Sequence, residues 1–143
     1  MSNYSTLKAR INSGEVILLD GAIGTQLQNM HAPMNNQAWA AAALETHPFT
    51  VRKMHENYIH AGVDVITTNT YSAGRQNLEP LGLTDKLEEL NLRAVMLAQD
   101  ARCLCERQAC LHCWIGIKFW SDRWRRGGME RVRSKRKGDE SPF

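Results

Sequence analysis

Long apolar runs are missing from this sequence. No stretch reaches the roughly 18 consecutive apolar residues that a membrane-spanning helix needs, which argues against a membrane protein. The opening residues, Met1 to Arg10, are polar and lack the apolar centre of a secretory signal, so a cytoplasmic location is expected. No internal repeat is visible. At 143 residues the chain fits one domain of ordinary size and can bury a core. It falls short of the roughly 250 residues typical of a complete eight-fold barrel.

Cysteine is missing from residues 1–102, which hold one tryptophan, Trp39. Cys103, Cys105, Cys110 and Cys113 all lie in residues 103–143, with Trp114, Trp120 and Trp124. Charge divides at the same place. Residues 1–102 carry 8 Lys and Arg against 10 Asp and Glu, a net of −2. Residues 103–143 carry 10 against 5, a net of +5, so the overall +3 conceals two unlike segments. A break this sharp places them under different constraints. The expected division is a folded portion, 1–102, and a basic Cys/Trp/Arg-rich tail, 103–143, without a fold of its own.

What is present in the first segment is organised around Val16-Ile17-Leu18-Leu19-Asp20-Gly21-Ala22-Ile23-Gly24-Thr25. Four apolar residues in a row suit a strand buried on both faces, as in a parallel sheet. Asp20 stands where that strand ends. Gly21 and Gly24 let the backbone bend and approach a small ligand. The carboxyl ends of parallel barrel strands are where chemistry collects, which makes Asp20 the first candidate residue and Thr25 the second. An Asp-Gly pair after a strand is also a common turn, with the acid only capping the chain. Both readings stand at this point.

The remaining elements alternate. Ser5 to Ser13 predicts a short helix stopped by Gly14. Pro33 and Asn35-Asn36 mark a loop, and Ala38 to Leu44 suggests a helical turn or two. His31 and His47 lie in or beside this loop, where a histidine is ordinarily solvated. A helix is expected from Pro48 to Ala61, since proline suits the first turn and Gly62 the stop. Val51, Met54, His55, Tyr58 and Ile59 form its apolar-leaning stripe. Met54 and Tyr58 read as core, and His55 and His60 as surface or edge. Val63 to Tyr71 predicts a second strand, β-branched at first and ending in Thr67, Thr68, Asn69 and Thr70. Such a polar strand end needs partners, either neighbouring strand ends or a ligand. After a loop with Gly74, Pro80 and Gly82, Thr84 is the expected N-cap of a helix to Arg102. Its apolar face is Leu87, Leu90, Ala94, Leu97 and Ala101, with Lys86, Glu89, Arg93 and Asp100 solvated. Helix and strand in alternation argue a parallel α/β sheet.

Leu18 to Thr25 resembles the opening motif of the homocysteine S-methyltransferase family. His55 to Thr70, HENYIHAGVDVITTNT, resembles that family's second strand and the helix before it. Trp39 to Pro48 and Leu83 to Arg102 continue the likeness, which covers residues 5–102. The resemblance implies an α/β fold, the N-terminal part of a (β/α)8 TIM barrel, incomplete at this length. It implies a zinc-dependent enzyme that methylates homocysteine to methionine at the expense of a methyl donor. In the family three cysteine thiolates hold the zinc, whose Lewis acidity keeps the substrate sulfur deprotonated. By that pattern Asp20 pairs with the substrate ammonium, and Gly21 and Gly24 allow the close approach. Backbone amides around Gly24 and Thr25 meet its carboxylate, and Thr70 lines the pocket. The family's zinc cysteines lie late in the barrel and have no counterpart here, so no metal ligand is expected in this chain. It is expected to be inactive in methyl transfer and to self-associate through open sheet edges. Betaine, S-methylmethionine and a folate- or cobalamin-borne methyl group all occur as donors among similar proteins.

Residues 103–143 do not align with the family. Cys103-x-Cys105 and Cys110-x-x-Cys113, with His112, could enclose a structural zinc, though not at a familiar finger spacing. Arg123-Trp124-Arg125-Arg126 and Arg131 to Lys137 offer the alternative of a small nucleic-acid-binding protein. The abrupt change of composition instead favours an out-of-frame origin for the tail.

Overall fold

A computed structural model of the chain describes residues 3–34, 40–106 and 114–116. Helix α1, Asn3–Asn12, ends as expected where Gly14 takes a left-handed φ of 81°. The chain then runs extended through residues 16–20. Only one parallel bridge, Leu19 to Val65, ties this segment to β1, Val65–Thr67. The expectation of a strand buried on both faces is not met. Val16, Leu18 and Leu19 are 76%, 53% and 64% exposed, because no described element packs over the edge they form.

The turn expected over Asp20 to Thr25 is shorter than that. Helix α2, Ile23–Asn29, begins inside it, so Gly24 and Thr25 belong to a helical first turn. Helix α3, Ala41–Thr46, and helix α4, Pro48–His60, follow. Proline stands at the start of α4 and Gly62, φ 91°, just beyond its end, as their backbone preferences require. Strand β1 is only three residues of the predicted Val63 to Tyr71. It pairs in parallel with β2, Trp114–Gly116, in the register Val65–Trp114, Ile66–Ile115 and Thr67–Gly116. Strand β1 therefore lies between the 16–20 segment and β2. These three residues of β2 fall in the segment set apart as a tail; most of the rest of it lies outside the described residues.

Helix α5, Arg75–Leu78, and two single 3₁₀ turns fill the expected loop. Thr84 makes no capping hydrogen bond; it opens the turn Thr84–Lys86, and helix α6 starts at Leu87 and runs to Glu106. The predicted end at Arg102 is four residues early, and Cys103 lies within the helix. Lys86 and Arg93 are not merely solvated. Lys86 pairs with Glu45, and Arg93 donates to the Leu44 carbonyl at 3.1 Å, binding α6 to α3.

The core is built on α4 against α6. Leu90, Ala94, Ala98, Ala101 and Cys105 recur at intervals of three or four and are all buried, so one face of α6 is small and lets α4 come close. Leu27, Leu44, Val51, Met54 and Leu78 join the first part of that spine. Ile59 and Ile66 join the second. No described helix is long and apolar enough to cross a membrane.

His55 departs from expectation. It is fully buried on α4 rather than at its surface, and neither ring nitrogen has a hydrogen-bond partner among the described residues. Burial pushes its pKa down from 6.5 to about 4. The neutral ring is the folded form, while the unfolded chain protonates near 6.5. Stability is therefore intact above that value and falls as pH drops toward 4, by up to about 3 kcal/mol. Urea unfolding of wild type and His55→Leu across this range should give curves whose difference changes by about that amount. A pH-independent difference would remove the explanation.

Candidate functional site

The parallel pairing sets the geometry of the site. Leu18 and Asp20 turn their main-chain groups toward β1. The Val65 and Asp64 N–H groups donate to the Leu18 carbonyl at 3.0 and 2.8 Å, and the Asp20 N–H donates to the Val65 carbonyl at 2.9 Å. Both carboxyl ends thus lie at one end of the sheet, with Asp20 on one side and Thr67 to Thr70 on the other.

Asp20 is half-buried and held by Thr67. The Thr67 N–H donates to Oδ2 at 2.7 Å, and its hydroxyl lies 3.0 Å from Oδ1 and 3.2 Å from Oδ2. The acid is more than a turn cap, since it bridges to the neighbouring strand. Beyond it, Thr68 and Thr70 are buried and share a hydrogen bond of 2.9 Å between their hydroxyls. The Asn69 amide donates to the Ala40 carbonyl at 2.9 Å and anchors the strand end to the start of α3. The polar strand end is thus satisfied within the protein, as one of its two sequence readings held.

Gly21 packs closely against Tyr58, which would have to shift for a larger residue. A Cβ there would lie 2.9 Å from the Tyr58 hydroxyl and 3.3 Å from its ring. That hydroxyl donates to the Ala22 carbonyl at 3.4 Å, and burial, followed by the charge of Asp20, raises its pKa. Tyr58, read from sequence as core alone, therefore props the turn. Its place on the helical stripe gave no sign of this. Gly24 is buried and Thr25 exposed in the first turn of α2. Gly21, Gly24 and Thr25 follow Asp20 at the strand tip, and Thr70 lies in the turn three residues beyond the end of β1. His31 is exposed with φ 61°, and His47 precedes α4.

At the opposite end of the pair a second acid acts. Asp64 Oδ2 accepts the Leu18 N–H at 2.9 Å, and its Oδ1 lies 2.7 Å from Arg10, which also pairs with Glu15 at 2.6 Å. Hydrogen bonds from Leu18 and Arg10 hold the Asp64 carboxyl below its ordinary pKa.

The described residues do not fit a metal. No three His, Cys, Asp or Glu side chains gather among them. Cys103 is exposed. Cys105 is buried, with its sulfur 3.8 Å from His60 Nε2. Cys110, His112 and Cys113, and the Arg123 to Lys137 stretch behind the nucleic-acid alternative, lie outside the described residues.

The class this defines is a protein of parallel strands flanked by helices, with an acid and a row of hydroxyls at the strands' carboxyl ends. The model of the homocysteine S-methyltransferase family matches residues 17–119, so the likeness does not stop at residue 102 as expected but continues through β2. The chain belongs to that family. Homocysteine S-methyltransferase 4 of Zea mays is 36% identical over 91 residues, 63% of this chain and 27% of the relative. Selenocysteine Se-methyltransferase of Brassica oleracea var. italica is 32% identical over 100 residues, 69% of this chain and 29% of its own length. The metallated form of the homocysteine methyltransferase MmuM from Escherichia coli superposes with a TM-score of 0.70 at 25% identity, covering 96% of this chain and 47% of that one. The chain thus spans little more than a quarter of the curated relatives it matches.

The clamp can be tested by removal. Asp20→Ala leaves the Thr67 N–H without its acceptor and should cost about 2 kcal/mol. Thr67→Val keeps the main-chain bond and should cost about 1 kcal/mol. Urea midpoints of the two variants measure this, and an unchanged midpoint for Asp20→Ala would refute the clamp.

Proposed function

We propose that this sequence is the amino-terminal portion of a (β/α)8-barrel S-methyltransferase and carries the part that grips the amino-acid end of homocysteine. One observation supports this above the rest. Parallel pairing sets Asp20 beside the hydroxyl-bearing end of β1, at the end of the sheet where barrel enzymes bind substrate. Asp20 would take the substrate ammonium at the strand tip, where the Thr67 N–H and hydroxyl orient its carboxylate. N–H groups at Gly24 and Thr25, in the first turn of α2, would meet the carboxylate. Gly21 lets the turn lie flat on Tyr58, and Thr70 would line the pocket.

The activating zinc would need ligands other than the described residues, so the chemistry assigned to this portion is binding and orientation. The metallated state of MmuM and the substrates named for the relatives agree with a zinc enzyme acting on a thiol or selenol.

Titration of the ¹⁵N-labelled chain with L-homocysteine, followed by NMR, tests the reading. Shifts are expected at 20–25 and 67–70. Asp20→Asn keeps an oxygen for the Thr67 N–H but loses the charge, and should weaken binding about tenfold. Shifts confined to other parts of the chain, or equal affinity in the variant, would overturn the assignment.

A further inference from the structure

We propose that Tyr58 is a positioning residue for Asp20: its phenol is the seat on which the Gly21 turn rests, and it thereby sets where the carboxylate meets a substrate ammonium. The inference rests on the reading of Asp20 as the ammonium-binding acid and extends it to a residue on a different element. Strand β1 anchors Asp20 twice. The Asp20 N–H donates to the Val65 carbonyl at 2.9 Å, and the carboxylate accepts the Thr67 N–H at 2.7 Å. Neither bond restrains the main chain that leaves Asp20. That chain enters Gly21, the residue type with the greatest backbone freedom.

Tyr58 supplies the restraint. Among the described residues a left-handed φ occurs at Gly14, Gly62 and Gly82, not at Gly21, so backbone shape alone does not call for glycine there. Closeness does. A Cβ would lie 2.9 Å from the Tyr58 hydroxyl oxygen, 3.3 Å from Cε1 and 3.4 Å from Cζ. All three atoms belong to the outer end of the ring, so the turn lies on the tip of the phenol. The hydroxyl also reaches the Ala22 carbonyl at 3.4 Å, which is long for an O–H···O bond, so contact does more than the bond to fix the turn. Burial, and after it the charge of Asp20, raises the phenol's pKa, so the group keeps its proton.

A seat must itself be fixed. Tyr58 stands on α4 and packs against both buried clusters, that of Leu27, Leu44 and Met54 and that of Ile66, Ala98 and Ala101. The turn is thereby tied to α4 while the carboxylate is tied to β1. An acid held from two elements need not be ordered by its ligand, and the ordering cost saved appears as affinity.

Two ligands separate positioning from general stability: L-homocysteine, and 4-mercaptobutanoate, the same chain without the amino group. NMR titration of the ¹⁵N-labelled full chain measures both affinities, and wild type should prefer homocysteine. Gly21→Ala forces the phenol off the turn and should weaken homocysteine about fivefold, short of the about tenfold expected for removing the Asp20 charge, with the analogue unaffected. Tyr58→Leu removes the ring tip and should do the same. Gly21→Ala combined with Tyr58→Phe removes the atom nearest the new methyl group and should recover part of the loss. Homocysteine affinity unchanged in Gly21→Ala, a loss shared equally by the two ligands, or a double variant no better than Gly21→Ala would each overturn the proposal. If Tyr58→Leu fails to fold, the other two variants decide. A wild type that does not distinguish the ligands removes the reading of Asp20 instead. The seat is then judged without ligand, by the Thr67 amide resonance that reports the bond to Asp20. That resonance should move in Gly21→Ala, and an unmoved one would overturn the seat as well.

Discussion

Two aspartates splice the first two extended segments of this protein, and the position of every strand tip at the site is set by that splice. Asp64, at the start of β1, accepts the Leu18 N–H, and Asp20, at the end of the preceding segment, accepts the Thr67 N–H. Each strand thus lends a carboxylate to the other's backbone, one at each end of a very short main-chain ladder. A ladder of so few bonds is weakly specified, because a two-residue shift keeps each side chain on its face and lets main-chain bonds reform. The two side-chain bonds have no equivalent in a shifted register. They fix which residue stands at the strand tip, and so place Asp20 beside Thr67.

The two acids are held by different groups. Asp64 meets Arg10, which also holds Glu15, so its charge is spent tying α1 to the sheet. Asp20 meets the neutral donors of Thr67, and its charge is still felt at the Tyr58 hydroxyl. In a parallel sheet the two ends carry different duties, stability at one and chemistry at the other.

The parts of the fold that local chemistry decides were legible in the sequence. Gly14 and Gly62 stop helices because glycine adopts the left-handed turn cheaply, and Pro48 starts one because its missing N–H is not needed there. The parts that neighbours decide were not. Four apolar residues imply burial only if something covers them, and Val16, Leu18 and Leu19 are bare. His55 sits on an apolar stripe, and its polarity argued for the surface when packing of α4 against α6 had already claimed the position. Thr84 looked like a cap, but the chain makes a 3₁₀ turn first. At the site, an acid at a strand tip and hydroxyls at the next were legible as types. That Thr67 is the one that grips Asp20, and that Tyr58 reaches from the core to the turn, depends on contacts 47 and 36 residues apart in sequence.

The splice also explains how an exposed sheet edge can remain ordered. Strand residues 16–20 gain little from burial, so hydrophobic area cannot hold them in place. Hydrogen bonds and one ion-pair network do so instead, and these leave the outer edge untouched. In this chain the inner side is fixed by carboxylates while the outer side keeps its donors, acceptors and leucines. The constraint that positions the candidate substrate-binding acid is therefore the same one that holds a poorly buried segment in register.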